Sequence, residues 1–132
     1  MVLINGKNIS QNILNTLADE VKELKKENIE PGLGIILVGN RQDSVSYVKM
    51  KTSVCMEIGI KTIDIKLSEN IDEEKIIEEI EKLNIDSTIH GILVQLPLPK
   101  HINRDKVLNM IDIKKDVDGF HPYNMGNLAI NR

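Results

Sequence analysis

The stretch LGIILV at residues 33–38 decides the fold, because it is apolar at almost every position and ends at Gly39. A strand with one face in water alternates between apolar and polar residues, whereas a strand buried on both faces does not. Both faces are buried mainly in parallel sheets, which helices cover on either side. The stretch therefore predicts an inner strand of a parallel sheet.

Helical and strand patterns alternate along the rest of the chain. Apolar residues three and four positions apart predict helices, and short apolar or alternating runs predict two more strands. The predicted helices cover residues 10–27, 44–58, 72–84 and 104–110, and the predicted strands cover residues 33–38, 60–67 and 89–96. Helices that connect parallel strands lie on the faces of the sheet. The predicted fold class is thus α/β, a three-layer αβα sandwich around a mostly parallel sheet.

Residues at the ends of these segments predict where the helices start and stop. Asn, Ser and Asp side chains cap helix N-termini, so Asn8 or Ser10 is expected to cap the first helix and Asp43 the second. Gly59 is expected to end the second helix, since glycine adopts the left-handed conformation of a C-terminal cap. The segment from Lys114 onward is polar and rich in turn residues, and no regular element is predicted there.

Composition argues against several classes of protein. The chain has 132 residues, of which 41% are hydrophobic and 28% charged, as in soluble globular domains. A net charge of −3 and the lack of any long basic run argue against a nucleic-acid partner. No apolar run suits a membrane span and no signal peptide is recognisable, so a cytoplasmic location is expected. The lone cysteine, Cys55, and the wide spacing of the histidines argue against an internal disulfide and a metal site.

Candidate ligand-binding residues follow from the predicted sheet, because ligands of open α/β sheets bind at the carboxyl ends of the strands. Ser44, Tyr47 and Lys51 lie on one face of the helix that follows the first strand, and Gln95 closes the third strand. A lysine among apolar groups has its charged form disfavoured by desolvation, which suits it to proton transfer. A lysine and a tyrosine that only face solvent would show the same spacing.

Two carboxylates near the end of the chain, Asp116 and Asp118, are also candidates. They can accept hydrogen bonds from a pair of ligand N–H groups, or they can form Asx turns with the local backbone. The residues themselves leave both interpretations open.

A nucleotide cofactor is not predicted to bind this chain. Gly32 and Gly34 precede a predicted strand, whereas the glycines of a dinucleotide-binding motif follow one. The chain also lacks the glycine, lysine and hydroxyl pattern of a phosphate-binding P-loop.

Three segments taken together resemble one enzyme family. They are VGNRQDSVSYVKMKTSVCMEIGI (38–60), HGILVQLPLPKHI (90–102) and KDVDGFHPYNMGNL (115–128). In this order and at these spacings they are similar to the bifunctional methylenetetrahydrofolate dehydrogenase/methenyltetrahydrofolate cyclohydrolase family. The resemblance covers essentially the whole chain but only the amino-terminal half of such an enzyme. It implies that residues 1–132 form the folate-binding catalytic domain.

The resemblance implies a role for each matching residue. Lys51 matches the proton-transfer group of the cyclohydrolase step, and Gln95 matches the glutamine that hydrogen-bonds this lysine. Tyr47 matches the tyrosine whose ring packs on the p-aminobenzoyl part of folate, and Asp118 matches the aspartate that holds the pterin ring. Further substrate-binding positions implied by the resemblance are Ser44, Val94 and Leu98.

The resemblance also implies an activity. The family interconverts 5,10-methylene-, 5,10-methenyl- and 10-formyltetrahydrofolate, so these tetrahydrofolate derivatives are the expected partners. Its dehydrogenase step uses NADP on a second, Rossmann-type domain, which is expected to be absent from this chain, and no metal is expected. Cyclohydrolase activity is therefore the one expected to remain. The alternatives are a folate-binding protein without turnover and a self-associating fragment, such as a homodimer.

Overall fold

Three parallel strands form the sheet of the structure, a computed structural model that describes residues 4–131. The strands are β1 (Gly32–Val38), β2 (Lys61–Leu67) and β3 (Gly91–Val94), and their order across the sheet is β2-β1-β3. Ile36 of β1 pairs with a β2 residue on one side and a β3 residue on the other. The inner position of β1 explains its uninterrupted apolar sequence, and it confirms the prediction.

Within residues 4–131, five helices accompany the sheet: α1 (Gly6–Lys26), α2 (Gln42–Ile58), α3 (Glu73–Ile85), α4 (Arg104–Leu108) and α5 (Pro122–Ala129). One face of the sheet packs against α2, where Ile35 of β1 meets Val48. The opposite face packs against α3, where Ile36 meets Ile76 and Ile80 in the larger core. Because neighbouring residues of a strand point to opposite faces, β1 supplies both cores. The predicted three-layer α/β fold is therefore confirmed.

The first helix differs from the prediction at its start and in its burial. Asn5, not Asn8 or Ser10, caps α1, and its side chain accepts a hydrogen bond of 3.2 Å from the backbone N–H of Asn8. Val21 is the buried residue of α1, while Ile13 is 55% exposed on the apolar face of the helix. Within residues 4–131, no helix is both long enough and apolar enough to cross a lipid bilayer.

The second helix also starts differently from the prediction. Arg41 occupies the N-cap position of α2 and makes no capping hydrogen bond with its side chain. Asp43 lies in the first turn instead, where its carboxylate accepts a hydrogen bond of 2.8 Å from Arg41 Nε. The predicted end of the helix is correct: Gly59 lies at the C-cap with φ +86°, which a residue with a side chain rarely adopts.

The third strand is shorter than the predicted span of residues 89–96. Ile89 donates its backbone N–H to Asp86 in a turn, at 3.2 Å, so β3 begins only at Gly91. Gln95 still donates its backbone N–H to Ile36, at 2.8 Å. Pro97 has no N–H with which to extend the hydrogen-bond ladder, so the strand ends at this point.

The end of the chain contains regular structure that the sequence analysis did not predict. α5 begins at Pro122, and the His121 ring accepts a hydrogen bond of 3.2 Å from Tyr123 N–H as the helix cap. No residue of α5 is buried, so its sequence carries little of the apolar periodicity that predicts a helix. Before this helix, Asp116 forms an isolated parallel bridge with Ile92 of β3.

Candidate functional site

The candidate residues come from three parts of the chain that meet near the carboxyl ends of the strands. α2 follows β1 and carries Tyr47 and Lys51, and Gln95 follows the last residue of β3. The segment that carries Asp118 runs beside β3, because Ile92 donates its backbone N–H to Lys115 at 2.7 Å. Parallel strands bring these connections to one edge of the sheet.

A direct hydrogen bond joins two of the candidates. Lys51 Nζ donates to Gln95 Oε1 at 3.1 Å, and both side chains are partly buried. The amide of Gln95 is oriented by its own Nε2, which donates to the Leu96 carbonyl at 2.8 Å. Because the amide nitrogen is engaged in this way, its oxygen faces the lysine. Lys51 forms no salt bridge with any residue between 4 and 131.

The Asp118 carboxyl lies within electrostatic range of this pair. Partial desolvation by the surrounding protein raises the pKa of Asp118, the Lys51 ammonium acts to lower it, and Asp116 acts to raise it. Within the described chain Asp118 accepts no hydrogen bond, so its oxygens remain available as acceptors. An available carboxylate near a lysine is suited to a ligand that presents N–H donors.

Asp116, only two residues earlier, has a different environment. Its carboxylate accepts hydrogen bonds from Phe120 N–H at 3.3 Å, His121 N–H at 2.9 Å and Asn124 Nδ2 at 2.9 Å. Desolvation acts to raise the pKa of Asp116, but these hydrogen bonds outweigh it and the pKa is lowered. Asp116 thus organises the local backbone, as the turn-forming interpretation predicts. The Asp118 carboxylate accepts no hydrogen bond within residues 4–131, and its role in ligand binding stays a prediction.

Tyr47 lies one turn before Lys51 on α2, and 56% of its surface is exposed. It therefore presents an aromatic surface beside the lysine. Ser44, on the same helix, is only 3% exposed, so its side chain lies in the interior and not on the surface with Tyr47.

The remaining two candidates do not pack in the core that faces α2. Val94 is buried in the core between the sheet and α3, on the face opposite to α2. The alternation of a strand explains this placement, since it sends neighbouring side chains to opposite faces. Leu98 is partly buried against the same core and lines a neighbouring cleft.

Comparison with known proteins identifies the family of this chain. A family model described as "Tetrahydrofolate dehydrogenase/cyclohydrolase, catalytic domain" matches residues 4–118. The chain belongs to the tetrahydrofolate dehydrogenase/cyclohydrolase family. Within this family, the bifunctional protein FolD of Acetivibrio thermocellus is 52% identical over 128 residues, which are 97% of this chain and 45% of the relative.

Solved structures of the tetrahydrofolate dehydrogenase/cyclohydrolase family share the fold. The bifunctional enzyme FolD from Campylobacter jejuni matches with a TM-score of 0.96 and 46% identity, covering 98% of this chain and 46% of that one. FolD from Trypanosoma brucei, complexed with NADP cofactor and inhibitor, matches with a TM-score of 0.95 and 35% identity. The match covers 99% of this chain and 45% of that one. The chain thus spans a little less than half the length of these relatives.

Two depressions in this family member lie at opposite edges of the sheet. One of ≈ 700 Å³ lies at the carboxyl ends of the strands and is lined by residues that include Arg41, Leu98 and Lys100. A larger one, ≈ 870 Å³, lies at the amino ends and is lined by Gly32, Lys61 and His90, among others. Parallel α/β sheets bind ligands at the carboxyl edge, and the Lys51–Gln95 pair lies beside that edge, although it lines neither depression. Within residues 4–131, no three His, Cys, Asp or Glu side chains are arranged to hold a metal ion.

Two residues that fix the Asp118 segment were not singled out from the sequence of this family member. The ammonium of Lys115 and the side-chain amide of Asn124 hold the segment from either side. Pro122 could have indicated the start of α5, because proline is enriched at the first position of helices. No comparable signal marks Lys115, whose partners are backbone carbonyls distant in sequence.

Proposed function

We propose that this chain supplies the folate site of a one-carbon enzyme that interconverts 5,10-methylene-, 5,10-methenyl- and 10-formyltetrahydrofolate. Membership of the family supports this proposal. The observation that carries it is the hydrogen bond of 3.1 Å from Lys51 Nζ to Gln95 Oε1. A lysine held by a neutral amide, without a salt bridge, is suited to giving and taking a proton.

Two groups beside the lysine would bind the substrate. The pterin ring presents adjacent N–H donors, which the free carboxylate of Asp118 can accept as a pair. The exposed ring of Tyr47 offers a flat apolar face for the aminobenzoyl group. Such aromatic contacts contribute about 0.5–1.5 kcal/mol beyond the burial of apolar area. The proposed substrate therefore lies along α2, with its pterin toward Lys51.

Hydrolysis of the 5,10-methenyl form is the reaction we assign to these residues. The substrate is a cation, and its charge beside Lys51 favours the neutral amine by like-charge repulsion. Water adds to the bridging carbon while this amine takes one proton of the water. Lys51 then returns that proton to N5 of the folate, the bond from the bridging carbon to N5 breaks, and the hydroxyl proton leaves to solvent. The product is 10-formyltetrahydrofolate, and one proton is released.

The start of α2, the helix that follows the inner strand β1, does not fit an NADP site. A pyrophosphate binds at a glycine-rich helix N-terminus with free backbone N–H groups. At the start of α2, by contrast, the Asp43 carboxylate accepts the Ser44 N–H at 2.8 Å and would repel a phosphate. We therefore assign no hydride transfer to these residues.

The proposed function is tested by the hydrolysis of 5,10-methenyltetrahydrofolate, followed through its near-ultraviolet absorbance. We expect hydrolysis by the wild-type chain to be faster than hydrolysis in buffer alone. Lys51→Met should lower the rate by a factor of about 10²–10⁴, as loss of an acid–base group does. Lys49→Met is the matched control, because Lys49 is an exposed lysine on the same helix. Equal rates for Lys51→Met and the wild type would refute the assignment of Lys51.

A folate-binding protein without turnover is the second candidate function. The openness of the site favours it, because the exposed Tyr47 ring shows that little protein shields a bound ligand from water. The same samples distinguish the two candidates. Binding of tetrahydrofolate without hydrolysis above the buffer rate would support this second function.

A further inference from the structure

The ammonium group of Lys115 is fully engaged inside the protein. Its Nζ donates to three backbone carbonyls at the end of α3, those of Leu83 at 2.9 Å, Asn84 at 2.7 Å and Asp86 at 2.8 Å. A lysine has three N–H donors, and all three are therefore used. The carbonyls at a helix C-terminus lack partners within the helix and attract a positive charge. Lys115 thus cannot serve a ligand directly, and its position is fixed by α3.

The backbone beside Lys115 is tied to the edge of the sheet. Ile92 of β3 donates its N–H to the Lys115 carbonyl at 2.7 Å, and Asp116 forms the bridge to the same strand. The next residue, Val117, packs over Gly91, where a Cβ atom would meet Val117 Cγ1 at 2.5 Å. These contacts fix the segment immediately before Asp118.

The segment immediately after Asp118 is fixed as well. The Asp116 carboxylate accepts the N–H groups of Phe120 and His121 and the side-chain amide of Asn124, which closes a short loop. Gly119 allows this turn because its φ is +68°, a conformation that residues with side chains rarely adopt. Asp118 therefore stands at the tip of a loop that is held on both sides.

We propose that Lys115 is a positioning residue that sets the place of the Asp118 carboxylate relative to Lys51. This inference rests on the proposed folate site, because it assigns Lys115 a part in binding the pterin. Lys115 acts through the backbone. Its ammonium binds carbonyls at the end of α3, and its own carbonyl accepts a hydrogen bond from β3. These contacts fix the start of the loop that carries Asp118. Lys115 would therefore affect the affinity for a bound ligand only through the position of Asp118.

The test compares tetrahydrofolate binding by three single variants and the wild type, measured calorimetrically under reducing conditions. Lys115→Met keeps the apolar stem of the side chain and removes its donors. We expect its Kd to rise about 10-fold, since a displacement of about 1 Å can cost on the order of 100-fold at a site. Lys115→Arg retains donors for the carbonyls and should give an intermediate Kd. Lys114→Met is the matched control, because Lys114 is an adjacent and exposed lysine.

A double-mutant cycle distinguishes positioning from a merely structural role. In an Asp118→Ala background, we expect Lys115→Met to change the Kd less than about twofold, because the group through which it acts is gone. An equal loss in both backgrounds would overturn the inference, and so would a wild-type Kd in Lys115→Met. Should Lys115→Met fail to fold, Lys115→Gln takes its place in the same cycle, because its shorter amide cannot donate to all three carbonyls, and a wild-type Kd for Lys115→Gln would also count against the inference.

Failure of the proposed function gives a different pattern. If the wild-type chain does not bind tetrahydrofolate, both the folate site and this inference are refuted. If the wild type binds and Asp118→Ala weakens binding, while Lys115→Met does not, only the inference on Lys115 fails.

Discussion

At the scale of single residues, the clearest result is that identical side chains two positions apart behave differently. Residue type and spacing alone leave Asp116 and Asp118 each as either ligand-binding or turn-forming, and only the family resemblance singled out Asp118. Their difference depends on which backbone N–H groups the fold brings close, and on Asn124 in a helix that the sequence did not reveal. By contrast, the resemblance to the family implied the contact of Lys51 with Gln95, and the structure brings the two side chains together. Their roles remain predictions.

The two carboxylates should affect stability with opposite dependence on pH. Asp116 has a lowered pKa in the folded protein, so it stabilises the fold above the unfolded value of about 3.9 and loses this effect as pH falls through the folded value. Asp118 has a raised pKa, so its charge opposes folding at neutral pH, and this penalty disappears as pH falls through its folded value. Asp116→Asn should therefore lower the free energy of unfolding at pH 7, and Asp118→Asn should leave it unchanged or raise it.

Urea unfolding at pH 7 and in acid measures both effects. The difference between the wild type and Asp116→Asn should shrink as pH falls below about 4. Asp19→Asn, on the exposed surface of α1, is the control for removal of one negative charge. If the difference in free energy of unfolding between the wild type and Asp116→Asn stayed constant from pH 7 into acid, the role assigned to the Asp116 carboxylate would be contradicted.

At the scale of elements, strong patterns predicted helices and strands well, whereas their ends depended on tertiary contacts. β1, β2, α2 and α3 were predicted within a few residues because apolar periodicity reports directly on burial. β3 was predicted too long because the apolar run continues into a turn at one end and toward Pro97 at the other. α5 was missed because none of its apolar residues is buried, so no pattern of apolar residues marks it.

Two glycines test how the Asp118 segment is attached to the sheet. Gly91→Ala should lower the free energy of unfolding by about 1–3 kcal/mol, since the new methyl group would overlap Val117 Cγ1, now 2.5 Å from the Cβ position. Gly126→Ala in α5 is the matched control, because nothing lies within 4 Å of its Cβ position. There the change should stabilise by about 0.5–1 kcal/mol, as alanine favours a helix over glycine.

Chemical denaturation of the two alanine variants provides the measurement. Equal free energies of unfolding for Gly91→Ala and Gly126→Ala would mean that the Asp118 segment can move away from β3 without lowering stability. In that case the attachment at Gly91 would not fix the place of Asp118.

At the scale of the whole molecule, stability should depend unequally on the two helical layers. Ile80 of α3 has no exposed surface and packs in the larger core, whereas Ile13 of α1 is 55% exposed. Ile80→Ala should lower the free energy of unfolding by about 2–5 kcal/mol, as it leaves a cavity. Ile13→Ala should change it by no more than about 0.5 kcal/mol, as for most surface positions.

Thermal or urea unfolding of these two variants measures the difference. A loss at Ile13 as large as that at Ile80 would mean that the apolar face of α1 is covered in solution. Sedimentation would then show whether a second copy of the chain covers it.

The parallel sheet also has a consequence for the order in which the molecule assembles. The hydrogen bond between Lys51 and Gln95 joins residues 44 positions apart, and contacts of such long separation form slowly because a long loop must close first. During synthesis at about 5–20 residues per second, α2 and its lysine are therefore made seconds before the strand end that will hold them. In the newly made chain, Lys51 therefore has no Gln95 to hydrogen-bond until the third strand has been made.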